Sequence, residues 1–202
     1  MHEPLPDWRA AACLVALLLA TPAAAADECP SIKTTKTSFV VERGPDSKTE
    51  VFSGDGPVVR SVLRYRGQTI LETTLHQGIF ELDRLDRGRR VVQTPKADLA
   101  KFFPLKEKQK IEADFERRDD DGKVTSSRVQ LTVTGRDTLY LGSCKYDILK
   151  IDREEFRAGA RVFSNTDYYA PELKLIVAKE YPERDGRKSL IKFDKIYVSP
   201  AQ

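Results

Sequence analysis

KQKIEADFERRDDDGKVTSSRVQLTV, residues 108–133, is the stretch that decides the architecture. Ile111, Ala113 and Phe115 alternate with Lys110, Glu112, Asp114 and Glu116. Beyond Asp119-Asp120-Asp121-Gly122, Val129, Leu131 and Val133 alternate with Arg128, Gln130 and Thr132. A period of two puts the apolar set on one face of a strand and the polar set on the other. Asp-Gly between two such runs is a hairpin turn. The pattern predicts an antiparallel hairpin with one face on a core and one in water.

The same acidic turn invites a calcium reading, which its spacing excludes. In an EF-hand loop that places its Gly at Gly122, the first ligand falls on Arg117 and the last on Arg128. Both are cations where the ion needs carboxylates.

Working outward, the alternation repeats. Over residues 58–66, Val59, Leu63 and Tyr65 oppose Arg60, Arg64 and Arg66. Over residues 68–76, Leu71 and Leu75 lie with Thr69 and Thr73, opposite Gln68, Glu72 and His76. Arg43-Gly44-Pro45-Asp46 separates the first two candidate strands. Pro182-Glu183-Arg184-Asp185-Gly186 joins the last two, and the final strand is read over residues 188–199. Only residues 96–103 read as a helical turn or two, stopped by Pro104. About ten strands of ordinary length follow, with no βαβ alternation and no internal repeat. The predicted fold is mainly β: a curved antiparallel sheet forming a barrel or half-barrel, with one short helix. A barrel of about eight or more strands has room for a cavity or for a core of its own side chains.

The N-terminus has the features of an export signal. Arg9 precedes an almost wholly apolar run over residues 10–20, and Ala24-Ala25-Ala26 places cleavage before Asp27. The run is shorter than the roughly 20 residues of a transmembrane helix. Residues 1–26 are therefore read as a signal peptide and residues 27–202 as one domain of 202 − 26 = 176 residues, exported to the periplasm. No second apolar segment is long enough to span a membrane. Two cysteines remain after cleavage, Cys29 and Cys144. A pair in an exported chain reads as a disulfide. Two free reactive thiols are the alternative, without a CxxC motif to support them.

Chemistry is sparse. His76 is the single histidine beyond residue 26, which excludes a histidine-rich metal site. No G-x-S-x-G elbow presents a serine to it. No metal or cofactor is expected. Residues 60–110 carry twelve Lys and Arg against six Asp and Glu, a local excess above the +4 of the cleaved chain. Arg60, Arg64, Arg66, Arg89 and Arg90 are candidates for contact with an anionic lipid head group or envelope polymer. Scattered solvating charge is the bland alternative. Nucleic acid is not expected as a partner. Tyr168, Tyr169 and Tyr181 flank Pro171 and an apolar run, as the lip of a pocket or the cover of a hairpin core.

Several motifs then fall in one order: Phe103-Pro104-Leu105-Lys106, Thr132-Val133-Thr134-Gly135-Arg136, Leu141-Gly142-Ser143, Tyr168-Tyr169-Ala170-Pro171-Glu172-Leu173 and Val177-Ala178-Lys179-Glu180-Tyr181. The order resembles a broad group of uncharacterised bacterial periplasmic proteins with an "AGTF…WYAPELG" type C-terminal half. Tyr168 stands where that group has Trp, Lys174 where it has a turn Gly, and Cys144 where a Phe enters the core. The resemblance covers residues 103–181. It implies a curved antiparallel sheet akin to the half-barrels of lipoprotein carriers, a buried Cys144, and no enzymatic activity.

Three readings stay open. One is a binding module holding an acyl chain or other apolar ligand against Leu63, Leu71, Leu75, Ile111, Phe115, Val129 and Leu131. Another is a structural or protein-interaction component of the envelope with no small ligand. The third, a hydrolase, needs carboxyls of raised pKa clustered in a cleft.

Overall fold

The computed structural model describes residues 29–31 and 38–199; the predicted signal segment, residues 1–26, lies outside them. The quoted stretch forms the hairpin expected of it. β7 (Lys110–Arg118) pairs antiparallel with β8 (Val124–Leu141), Ile111 opposite Leu131 and Ala113 opposite Val129. The acidic turn is solvated and self-capped: Asp121 accepts from the Lys123 backbone N–H and Gly122 N–H donates to the Asp119 carbonyl.

Six strands precede this hairpin: β1 (Phe39–Arg43), β2 (Ser47–Ser53), β3 (Val58–Tyr65), β4 (Gln68–His76), β5 (Phe80–Asp86) and β6 (Arg89–Pro95). Five follow it: β9 (Cys144–Arg157), β10 (Ala160–Ala170), β11 (Leu175–Pro182), β12 (Lys188–Lys192) and β13 (Lys195–Val198). Among the described residues the one helical element is a 3-10 turn over Leu99–Phe102, capped by Asp98, whose carboxylate accepts from Ala100 N–H. All strands among the described residues join one antiparallel sheet. Strands β1 to β12 pair in chain order, and β13 returns to pair with β1.

That return corrects the expectation of one continuous last strand. The segment breaks at Phe193 and Asp194. Phe193 N–H donates to the Val177 carbonyl on β11, and Asp194 N–H to the Glu42 carbonyl on β1. The Asp194 carboxylate also accepts from Gly44 N–H at 2.7 Å. The chain thus crosses from one edge of the sheet to the other in three residue steps, at most about 11 Å. The sheet is rolled until its edges meet at this stitch, yet β12 and β13 share no ladder. It is curved, not closed.

One face in water does not hold for the centre of the sheet. Successive side chains of a strand point to opposite faces. On β9, the adjacent Ile148 and Leu149 are 2 % and 5 % exposed. Leu149 and Ile151 belong to a first core with Phe80, Leu99, Ile111, Phe115, Val129 and Leu131. Cys144, Tyr146 and Ile148 belong to a second core with Phe39, Val41, Val51, Val59 and Ile196. Tyr169 and Ala170 on β10 divide between the cores in the same way. Strands β9 and β10 are therefore a wall with a core on each side.

Two contacts set how the rolled sheet sits on that wall. Tyr169 Oη donates to the Gln77 carbonyl and Arg153 Nη2 to the Ile79 carbonyl, both at 2.9 Å. Between them, Gly78 (φ +68°) backs onto the β10–β11 turn, where an added Cβ would lie 1.7 Å from the Lys174 carbonyl oxygen. Lys174 itself has φ +49° and its Nζ donates to the Gly54 and Gly56 carbonyls, tying in the β2–β3 turn. Gly78→Ala meets backbone rather than a movable side chain and adds a left-handed penalty. Its expected cost is about 2–4 kcal/mol, read as a lower urea midpoint with unchanged m.

The N-terminal end is fastened to the second core. Cys29 and Cys144 form a disulfide with their Cα atoms 5.5 Å apart. Tyr146 Oη donates to the Pro30 carbonyl at 2.9 Å. Burial, aided by the Glu172 charge, pushes the Tyr146 hydroxyl up to about 12. Among the described residues no helix is long and apolar enough to cross a membrane.

Candidate functional site

Antiparallel pairing brings the β7–β8 turn, the β9–β10 turn and the β5–β6 hairpin to one end of the sheet. They surround a cleft of about 860 Å³. The opening has a local cause. β10 pairs with β9 along its length but with β11 only from Thr166 onward. Pro182 has no N–H to continue that ladder, and β11 leaves. Val162 and Phe163, in the part of β10 without β11, line the cleft with Phe156 of β9.

The lining is dominated by charge. Arg84, Arg89, Arg90, Arg117, Arg128, Arg153, Arg157 and Lys179 face Glu81, Asp86, Asp119, Asp120, Asp121 and Glu155. Most cations are already answered. Arg84 pairs with Asp86 at 2.7 Å, Arg117 with Asp119 at 2.6 Å, and Arg90 with Asp83. Arg128 bridges Glu112 and Asp114 at 2.9 and 2.8 Å. Arg89 and Arg157, both exposed, have no ion-pair partner among the described residues.

Arg153, Glu155 and Lys179 of the lining belong to a buried polar network that extends beneath the cleft to Asp167 and Asn165. Arg153 Nε meets Asp167 Oδ2 at 2.5 Å, with side chains 5 % and 1 % exposed. Arg153 also reaches Glu155 at 3.3 Å, Asn165 Nδ2 donates to Asp167 Oδ1 at 2.6 Å, and Lys179 approaches it at 3.7 Å. Burial alone would lift the Asp167 carboxyl. The Arg153 and Lys179 charges and the hydrogen bonds outweigh it and hold the group below the usual carboxylate range. Glu81 goes the other way: burial lifts it, Glu155 adds to the lift, and Arg84, Arg117 and Lys179 oppose it. Asn165 Oδ1 is buried with no hydrogen-bond partner.

The lining includes neither His nor Cys. His76 packs instead against Phe103, ring centroids 5.6 Å apart, and burial lowers its pKa against the pull of Asp98. Ser127 is occupied, donating to Gln93 Oε1 at 2.9 Å. Among the described residues no group of three or more His, Cys, Asp or Glu side chains is placed to hold a metal ion. The arrangement can bind charge and hydrogen-bonding groups.

The structure separates the residues that the sequence grouped. Ile111, Phe115, Val129 and Leu131 are packed inside the first core, and only Val129 touches the cleft. Leu63 and Leu71 face each other across β3 and β4, Leu75 faces Val59, and all three leucines are half-buried. The seven do not line one cavity. Of the five arginines, Arg60 pairs with Glu72 at 2.8 Å, Arg64 with Glu50 at 3.0 Å and Arg66 with Asp46 at 3.3 Å. Arg89 and Arg90 alone reach the cleft. Tyr168 and Tyr169 cover packed cores, while Tyr181 meets Phe163 edge-on, centroids 6.0 Å apart. Arg153, Asp167, Asn165 and Glu81 carried no signal in the sequence beyond strand parity.

No family model matches the chain, and no curated protein matches it. The motif resemblance over residues 103–181 therefore rests on its residues. Among solved structures, the chain is similar to the hypothetical lipoprotein YmcC from Escherichia coli K12. That likeness has 10 % identity and a TM-score of 0.49, covering 85 % of this chain and 90 % of that one. It is also similar to a candidate exported protein with a YmcC-like fold from Bacteroides fragilis. There the identity is 9 % and the TM-score 0.36, covering 79 % and 92 %. At these values neither likeness adds to the geometry.

Proposed function

We propose that the protein is an exported, non-catalytic binding module of the bacterial cell envelope, working in the periplasm, whose ligand is anionic and sits in the charged cleft. The observation that carries this reading is the pair Arg89 and Arg157, exposed cations without ion-pair partners among the described residues, at an opening floored by fixed polar groups. Charges already paired across strands have little left to offer a ligand, whereas a guanidinium outside any direct ion pair binds a carboxylate or phosphate in bidentate fashion. An acyl chain held by the seven apolar residues loses its support, because four of them are closed in a packed core. The export signal read from the sequence and the disulfide support the compartment.

The test is a chemical-shift titration of residues 27–202 with short polyacrylate, and separately with phosphatidylglycerol vesicles. The expected result is that polyacrylate shifts the Arg89 and Arg157 Nε–H signals and leaves those of Leu63, Leu71 and Leu75 in place. Vesicle-induced shifts at the leucines, with silence in the cleft, would return the apolar reading. A second reading, docking of another envelope protein, is favoured by Leu190 and Ile191, 49 % and 41 % exposed on the edge strand β12.

A further inference from the structure

We infer that the anionic ligand of this cleft is an acidic saccharide, a polymer of sugar rings that carry both hydroxyls and carboxylates or phosphates. The inference rests on the cleft being the binding site. Three features meet there that a plain anion site does not need.

The first is an open set of acceptors. Asn165 is 4 % exposed and its Oδ1 is unpartnered, while its Nδ2 is committed to Asp167. It lies beneath the lining rather than in it, two residues from Phe163 and opposite Arg153, which do line the cleft. Glu155 beside it has a single long contact, 3.3 Å to Arg153. A simple anion brings only further acceptors to such a floor. A ring hydroxyl brings a donor, which the Glu155 carboxylate in the lining can accept, with the Asn165 oxygen in the layer below it.

The second is Glu81, a carboxyl in the same lining with no side-chain hydrogen bond of its own among the described residues. A carboxyl offers hydroxyls acceptors when ionised and one donor when protonated, so it serves a hydroxylated ligand in either state. The third is the aromatic side of the opening. Phe156 and Phe163 are half-buried, and Phe163 is held edge-on by Tyr181 at 6.0 Å. A sugar ring lays its C–H face on such a ring while its hydroxyls turn to polar groups, which matches a cleft with one charged and one aromatic wall.

The experiment compares a galacturonic acid oligomer with polyacrylate of equal charge, by calorimetry on residues 27–202, with shift mapping to locate each. The expected result is cleft binding by both, at least tenfold tighter for the galacturonate. Phe163→Ala should weaken galacturonate about three- to tenfold and leave polyacrylate unchanged. Arg89→Gln with Arg157→Gln, two exposed positions that leave the core intact, should weaken both. Equal affinity of the two probes in the cleft would overturn the saccharide inference and keep the anion-binding reading. Failure of both probes to shift the cleft would overturn both.

Discussion

Asp167→Asn is expected to lose about 3–5 kcal/mol of stability at pH 7, because it strands the buried Arg153 guanidinium without its counter-charge. The replacement keeps the shape and can still meet Asn165, so the missing charge dominates the effect. For a domain of this size the fall in Tm is on the order of 10 °C. Glu155 does not rescue it, since it reaches Arg153 only at 3.3 Å and is itself partly solvated. The control is Arg153→Met with Asp167→Leu, which removes both charges. It should recover most of the loss, because a buried pair is harmful to break but close to neutral to replace with apolar volume. The pH dependence has a definite sign. Asp167 titrates lower in the folded chain than in the unfolded one, where its value is about 3.9. Its contribution is therefore present above about pH 4 and lost as pH falls through the folded value. The gap between wild type and Asp167→Asn should close in acid. A gap that stays constant to pH 2 would show that the carboxylate charge is not what stabilises the floor.

Residues 110–133 were legible because hairpin physics is local: parity, a turn residue and two faces. The short Leu99–Phe102 turn before Pro104 was legible for the same reason. What was not legible is which face of a strand meets a second layer. On β9, Tyr146, Ile148 and Leu149 put apolar groups on both faces, the mark of a doubly buried strand. The same parity carries the face of Leu149 and Ile151 on into Arg153 and Glu155, and nothing local says whether that face leaves the core there. The answer lies across the ladder, where Asp167 stands opposite Ile151 and Asn165 opposite Arg153. Those residues are 12 to 16 positions away along the chain, so no window of strand length sees them together. The arginines misled for a related reason. Arg60 and Arg64 form a basic stripe along β3 when read alone, and cross-strand Glu72 and Glu50 answer it.

The stitch at Phe193 and Asp194 shows the same limit on a larger scale. Residues 188–199 read as one strand, and both halves are strands. Only the Val177 and Glu42 carbonyls, on β11 and β1, decide that the halves belong to opposite edges. The cleft has the same kind of origin, a strand that loses its partner where β11 leaves β10 at Pro182. Fold and candidate site thus follow from a single question, which strands lose a partner and where.

Replacing both Cys29 and Cys144 by Ala is expected to lower stability by about 4–5 kcal/mol, nearly all of it from the loss of the tether. The bridge spans a sequence separation of 115. In the chain-entropy model a loop of that size restricts the unfolded chain by that amount. Packing adds little, since Ala at position 144 removes one sulfur from a core that Tyr146, Ile148 and Ile196 still fill. Two measurements separate the contributions. Wild type unfolded in urea with dithiothreitol loses the tether and keeps both sulfurs, so its midpoint should fall almost as far as that of the double variant. The remaining difference is the packing part, on the order of 1 kcal/mol. The Tyr146 to Pro30 hydrogen bond supplies the contrast. Once the tether is gone, that bond and its neighbours alone must hold residues 29–31 against the second core, and a proteolytic cut in this segment should come well before global unfolding. Equal urea midpoints for oxidised and reduced wild type would mean that the second core holds the N-terminal end without help from the bridge, and the tether account would have to be abandoned.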